Sequence, residues 1–308
     1  MRAIRIHAYG GADQLHLEES TPPRPAAGEA LVRVRYAGVN PVDWKIRAGY
    51  LQSRQPAVFP LTLGQDFSGD VVESKLESGL LPPGTRVFGF ANGAYSELVT
   101  AAAGQMAAMP EELSYETAAA LPTPAVTAYQ MIGRAAQLTS GQSILIHGGA
   151  GAVGSIAVQL AQRLGAHVAA TADNDVDVRY LRELGVAPAI NSQTERFEDR
   201  LRSLDAVIDL VGGEIQKRSL AVLKPGGVLV SSLGVDAAVA GEAGARRIRA
   251  VAFGMVRSGA DLAELAQIAA QGGLRLRIAK VLPFERAREA QELSERSAAH
   301  GKVMLRVA

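Results

Sequence analysis

The chain has 308 residues, 48% of them hydrophobic, which is enough for sizeable cores, and at ~150 residues per domain its length suggests two domains. Its 32 basic and 31 acidic side chains leave a net charge of +1 and form no basic stripe or acidic tail, which argues against a nucleic-acid or membrane-surface partner. Cysteine is absent, excluding a disulfide framework, a thiolate nucleophile and any cysteine-ligated zinc or iron–sulfur centre, and the five histidines are scattered without metal-ligand spacing.

The opening MRAIRIHAYGG alternates apolar and polar residues and lacks the apolar stretch of a signal peptide, so a first strand is predicted there. No apolar run approaches the ~18 to 20 residues that cross a bilayer, and a soluble cytoplasmic protein is expected. Up to about residue 120 the segments are short and broken by Pro and Gly: TPPRPAAGEA, LVRVRYAGV, LPPGTRVFGF and GAYSELVTA. Such segments predict an all-β, barrel-like unit. In LVRVRYA, Leu31, Val34 and Tyr36 do not share a face, so burial on both sides is expected.

From Thr123 the pattern becomes βα repeats. Strands are predicted over Ile144–His147, His167–Thr171, Ala187–Asn191, Ala206–Leu210 and Val228–Ser232, the last set up by the turn KPGG (224–227). Between the first two, Val153, Ile156, Ala157, Leu160, Ala161 and Leu164 recur at helical spacing; Val178, Leu181 and Leu184 do so before Gly185. Strands separated by helices of this length imply a parallel sheet with right-handed crossovers. After about Gly254 come a helix (Asp261–Gln271), a strand-like LRIAKVLPF, a charged helix (Glu285–Arg296) and a last strand, KVMLRV. That strand is expected to return to the N-terminal β unit. The expected domains are therefore 123–254, of Rossmann type, and a discontinuous β-rich domain made of 1–122 with 255–308.

The segment ILIHGGAGAVGS, Ile144 to Ser155, places three glycines in G-x-G-x-x-G spacing between a predicted strand and an amphipathic helix. In that context it reads as a dinucleotide turn: Gly149 for the tight turn, Gly151 for close approach of the pyrophosphate, Gly154 for helix–strand packing. The phosphates would lie against helix-start N–H groups of Gly151, Ala152, Val153 and Gly154. No G-K-[ST] follows, which disfavours a P-loop. The second strand ends in AATADND, where Ala172 or Asp173 could be the tip residue facing the ribose; Asp173 and Asn174 could equally be polar turn residues.

The order of parts, with GVNPVDWKIRAG (38–49), LGQDFSGDVV (63–72), GAYSEL (93–98), LPTPAVTAYQ (121–130), HGGAGAVGSIAVQLA (147–161), DAVIDLVGG (205–213), LKPGGVLVSSLG (223–234) and HGKVMLRV (300–307), resembles the medium-chain dehydrogenase/reductase superfamily. Within it the chain is similar to the zinc-free quinone oxidoreductase and enone reductase branch. The resemblance implies an α/β fold, with a Rossmann-type parallel sheet beside a GroES-like barrel domain. The superfamily's zinc enzymes place a cysteine where Asn40 stands, a His-Glu pair where Gln65-Asp66 stand, and carry a four-cysteine lobe. None of these is present, so a substrate carbonyl would be polarised by hydrogen bonds rather than a Lewis acid.

That implies a zinc-independent, NADPH-dependent reductase of quinones or α,β-unsaturated carbonyls. The alternatives are a metal-free alcohol or aldehyde oxidoreductase and a non-catalytic NAD(P)-binding protein. By the resemblance, Asn40, Asp43 and Lys45 border nicotinamide and substrate, with Lys45 a candidate donor to the developing enolate or to the ribose. Thr127 faces the cofactor, and Ser231, Leu233 and Gly234 end the strand beside the carboxamide. Tyr95 is expected to be core packing, His147 structural and Lys302 a strand-entry residue. NADPH is favoured with NAD as the alternative, although Asp173 and APAINSQ (187–193) depart from the NADPH pattern. RIRAVAFGMV (247–256) reads as an edge strand that could pair with its copy in a homodimer.

Overall fold

In the computed structural model, which describes residues 1–296 and 299–308, the alternating N-terminal segment forms strand β1 (Arg2–Ile6), with Ala3, Ile4 and Ile6 buried. It pairs antiparallel with β2 (His16–Glu19). Next comes β3 (Glu29–Val39), an eleven-residue strand in which Val32 and Val34 are fully buried and Arg33 is exposed. Helix α1 (Pro41–Arg47) follows at once, with proline in its first turn, where no N–H is needed. Short β4 (Leu61–Thr62) pairs with β1. Then β5 (Asp66–Ser74), β6 (Arg86–Phe90), β7 (Leu98–Ala102) and β8 (Met106–Ala108) build the sheet around β3, which pairs antiparallel with both β5 and β7. Helix α2 (Tyr115–Ala120) is N-capped by Ser114 and leads into α3 (Pro122–Gln130).

The chain divides into two compact units, Met1–Val126 with Arg257–Ala308, and Thr127–Val256. The second contains β9 (Ser143–His147), α4 (Ala152–Arg163), β10 (His167–Ala172), α5 (Asp175–Glu183), β11 (Ala189–Asn191), α6 (Phe197–Arg200), β12 (Leu204–Asp209), α7 (Glu214–Ser219), β13 (Leu223–Ser231), α8 (Ala237–Ala245) and β14 (Arg249–Ala252). All six strands are parallel, in the order β11-β10-β9-β12-β13-β14, the strand order of a doubly wound dinucleotide-binding sheet. The strands are near-continuous apolar runs because helices cover both faces of such a sheet; Leu145, Val207 and Leu229 are fully buried at its centre. Leu204 pairs with Leu223 but Ala206 with Val228, so Lys224–Gly227 loop out as the expected turn, with Gly226 at φ +84°.

Strand β14 lies at the sheet edge, as the pattern anticipates, but spans four residues rather than 247–256. Arg247 takes a left-handed φ of 57°, incompatible with a strand. At the other end the Gln130 amide bonds both the N–H and the carbonyl of Val256, which takes that residue out of any ladder.

The chain returns to the first unit through α9 (Gly259–Ala270), β15 (Ile278–Pro283), α10 (Ala287–Glu295) and β16 (Lys302–Arg306). Strand β16 pairs antiparallel with β3 and parallel with β15. The first unit thus has a seven-stranded sheet, β15-β16-β3-β5-β6-β8 with β7 also on β3, and a three-stranded sheet, β2-β1-β4. Their shared core includes Ile6, Phe67, Tyr95, Phe284 and Leu305. Among the described residues no helix is long and apolar enough to cross a membrane.

Candidate functional site

The glycine turn lies where expected, between β9 and α4, but its glycines divide the work differently. The left-handed residue is Gly148, at φ +69°, not Gly149. Gly149 is needed for packing: a Cβ there would stand 2.7 Å from the Ala170 Cβ. Gly154 allows the helix start to sit on the turn, since a Cβ would come 2.2 Å from the Gly148 carbonyl oxygen and 2.7 Å from the Gly149 Cα. At Gly151 the nearest atom would be 3.4 Å away, an ordinary contact, so internal packing does not demand glycine there. Gly151 is the N-cap of α4, and the N–H groups of Ala152, Val153 and Gly154 have no i−4 carbonyl inside the helix. This end of α4 therefore presents donors and a positive dipole end to an anion.

At the tip of β10, Ala172 is buried and its carbonyl accepts from the Ser192 N–H and hydroxyl, leaving Asp173 as the exposed residue. Asn174 caps α5, accepting from the Asp177 N–H at 2.9 Å and donating to the Asp173 carboxylate at 2.7 Å. Asp175 accepts from Asn191 at 2.7 Å. The tip is acidic, with two carboxylates in three residues.

The ends of β12 and β13 are tied by Asp209. Its buried carboxylate accepts from the N–H groups of Val211 and Gly212, from Ser231 Oγ at 2.7 Å and from Gln216 Nε2 at 2.9 Å. Burial pushes this carboxyl up, but the Gly212 amide, the Ser231 hydroxyl and the Val211 amide hold it below its ordinary value. Gln216 also donates to the Gly234 carbonyl, and Ser231 Oγ accepts from the Leu233 N–H. Ser231 is buried, Leu233 is half exposed and Gly234 has φ +85°, so the segment 231–234 is fixed by buried bonds while Leu233 reaches the surface. Thr127 is buried on α3. His147 is structural: its ring nitrogens face Thr171 Oγ1 and Ser219 Oγ, and burial pushes its pKa down to about 4.

In the first unit Asn40 and Asp43 come together as the capping box of α1, Asp43 accepting from the Asn40 N–H at 2.8 Å. Both are buried. The Asn40 side chain donates to Asp66 Oδ2 at 2.8 Å, and its Oδ1 accepts from the Lys302 ammonium. Tyr95 OH donates to Asp43 at 2.8 Å, and Thr123 donates to Asp66 through its N–H and hydroxyl. Sequence reasoning placed Tyr95 in packing and Lys302 at strand entry, met Asp66 only as a position where a zinc-enzyme ligand pair is missing, and passed over Thr123. Lys45 is apart from this cluster: partly exposed, its ammonium lies 5.6 Å from the Trp44 ring centroid.

Burial pushes the Asp43 carboxyl up to about 7, against the Asn40 N–H and Tyr95 hydroxyl, which favour the charged form. The unfolded group titrates near 3.9. The folded chain therefore holds an extra proton between those values, and stability is present at low pH and lost as pH rises through about 7. At ~1.4 kcal/mol per unit, the loss from pH 5 to 8 is ~3 kcal/mol. Asp43→Asn is expected to flatten that slope in urea unfolding followed by Trp44, the chain's one tryptophan, which reports on the first unit. His147 in the second unit acts oppositely, losing stability as pH falls from ~6.5 through about 4.

Residues 26–111 match a family model described as alcohol dehydrogenase GroES-like domain, 115–240 one described as alanine dehydrogenase/PNT, C-terminal domain, and 184–305 one described as zinc-binding dehydrogenase. The chain is 32% identical over 250 residues to NAD(P)H oxidoreductase RTN4IP1, mitochondrial, of Danio rerio, covering 73% of this chain and 64% of that protein. It is 31% identical over 241 residues to the quinone oxidoreductase of Mus musculus, covering 75% and 72% respectively. The solved quinone oxidoreductase of Coxiella burnetii shares the fold with a TM-score of 0.92 and 32% identity, over 100% of this chain and 99% of that one. The zinc named by one model does not fit the residues present. Among the described residues no three His, Cys, Asp or Glu side chains are grouped to hold a metal ion, and the buried oxygens of Asn40 and Asp66 already face an ammonium.

Proposed function

Because the chain belongs to the medium-chain dehydrogenase/reductase superfamily and is an NAD(P)H-dependent oxidoreductase, we propose that it reduces quinones or α,β-unsaturated carbonyls without a metal. The observation that carries this is the glycine turn. Its tightly seated Gly154 puts the unpaired N–H groups of Ala152, Val153 and Gly154 at the carboxyl end of the first parallel strand, where a coenzyme pyrophosphate is held in such sheets. The quinone oxidoreductase relatives support the substrate class.

When bound, the coenzyme supplies a hydride from nicotinamide C4 to an electrophilic carbon. Ser231, Leu233 and Gly234, fixed by Asp209 and Gln216, offer backbone groups to its carboxamide. By the family resemblance Thr127 would face the coenzyme as well. A proton must follow the hydride to the substrate oxygen; the family resemblance offers Lys45 as its source, with water or the coenzyme ribose as alternatives, while Asn40 and Asp43 are committed to buried bonds. Asn40 and Asp43 act as positioning residues that anchor α1, the helix carrying Lys45.

The family resemblance favours NADPH, but the tip of β10 supports NADH. An exposed Asp173 carboxylate accepts from a ribose 2′-hydroxyl and repels a 2′-phosphate, with Asp175 adding to the repulsion. A cytoplasmic homodimer pairing through the edge of β14 belongs to the same proposal; light scattering at monomer mass would remove the dimer. The test is steady-state oxidation of NADH and NADPH by a small quinone, an enone and an aldehyde. Turnover with the quinone or enone and a tenfold or greater preference for NADH are expected. Tight coenzyme binding with no turnover on any acceptor would overturn the activity.

A further inference from the structure

One of the matching family models is described as zinc-binding, yet the place in the first unit richest in buried anionic oxygen already contains a cation. Pairing of β16 with β3 sets Val303 opposite Val39, and pairing of β3 with β5 sets Gly38 opposite Asp66. Lys302, Asn40 and Asp66 are therefore brought side by side at the ends of three adjacent strands. All are buried, Lys302 at 4% exposure and Asp66 at 0%.

The Lys302 ammonium donates to Asn40 Oδ1 and lies 3.4 Å from Asp66 Oδ2. A buried lysine is rare unless paired, because desolvating its charge costs several kcal/mol. Room for its stem is kept by Gly38, where a Cβ would stand 3.1 Å from Lys302 Cε and 2.7 Å from the Ala119 carbonyl oxygen. Asp43 adds a second buried carboxyl to the cluster. Arg257, the other nearby cation, is directed to Gln65 and Asn92. Asn40 Oδ1, Asp66 Oδ2 and the Thr123 hydroxyl are oxygens of the type a hard cation takes. Every one of them is committed to Lys302 or to another partner in the cluster.

We propose that Lys302 is the resident cation of the first unit: its ammonium balances Asp66, fixes the Asn40 amide in one orientation, and bars a divalent ion from these oxygens. This holds whichever acceptor the enzyme reduces. Removing the ammonium leaves Asp66 buried without its directly paired cation, Arg257 acting on it only from a distance. Lys302→Met is therefore expected to lower the thermal midpoint followed by Trp44 by ~10 °C. Adding Asp66→Asn to that variant is expected to recover most of the loss, because the cluster is again balanced. Methylammonium at ~0.1 M should raise the midpoint of the single variant and leave the wild-type chain unmoved. Calorimetric titration of the dialysed wild-type chain with zinc should show no binding at micromolar concentration.

A single variant as stable as wild type, a double variant no better than the single, or one zinc bound per wild-type chain would each overturn the proposal. If the single variant is not recovered folded, the double variant decides: folded, it supports charge balance; unfolded, it assigns Lys302 to packing and the proposal fails.

Discussion

Gly154→Val is expected to raise the dissociation constant for NADH at least a hundredfold, read from the fluorescence of the bound coenzyme. A Cβ at 154 would overlap the Gly148 carbonyl oxygen at 2.2 Å and the Gly149 Cα at 2.7 Å. Both are backbone, so no rotamer change relieves the clash. Either α4 slides away from β9 or the turn opens, and in both cases the N–H groups of Ala152 and Val153 leave the position from which they meet a diphosphate. A hundredfold change corresponds to ~2.7 kcal/mol, the scale of one or two charge-assisted hydrogen bonds. Gly151→Ala is the informative control, because its Cβ meets nothing closer than 3.4 Å. It should leave thermal stability within ~0.5 kcal/mol while weakening coenzyme binding at least tenfold. If Gly151→Ala binds NADH like wild type, the coenzyme does not approach the turn there.

The second large effect concerns the choice of coenzyme. Asp173→Ser should raise kcat/KM for NADPH by tenfold or more and lower that for NADH several-fold, reversing or abolishing the preference. The side chain is exposed and accepts a hydrogen bond from Asn174, so its replacement has little packing cost and the readout is electrostatic. Because Asp175 is held by Asn191, one carboxylate remains near the tip. Asp173→Ser with Asp175→Asn should extend the shift. An unchanged NADPH to NADH ratio in both variants would place the ribose elsewhere.

Much of the fold was legible because period and punctuation are strong signals in this chain. The buried strands of the second unit stand out as apolar runs between amphipathic helices, whereas their order, which reverses direction at β9, is not given by chain order. The regular last strand, KVMLRV, signalled its return to the first unit by having too many apolar residues to be exposed. What spacing could not reveal was how work is shared within the glycine turn. Consecutive glycines at 148 and 149 look alike, and only the backbone distinguishes the left-handed one from the one pressed on Ala170. The end of β14 was also hidden, because it is set by the Gln130 side chain reaching across 126 positions to Val256.

The buried cluster was half legible. Asn40 before Pro41 with Asp43 three residues on is a local capping pattern, visible in sequence. Lys302 was not, since a lysine opening a strand is ordinarily solvated. The one hint was that HGK precedes residues buried on both sides, on a strand expected to lie inside a sheet. Asp66 was singled out only by the resemblance, as standing where the zinc enzymes carry the Glu of a His-Glu pair, and its partners were hidden because they come from three distant segments.

Closure of the first unit by β16 bears on how the protein emerges during translation. Asn40 and Asp66 leave the ribosome 262 and 236 residues ahead of Lys302, respectively. The span 127–256 is contiguous and can complete its own sheet as soon as it is made. The N-terminal strands must wait, with the Asp66 carboxylate lacking its ammonium, until β16 is made, so a nascent chain cut short before residue 302 would hold a completed 127–256 sheet and an unfinished first unit.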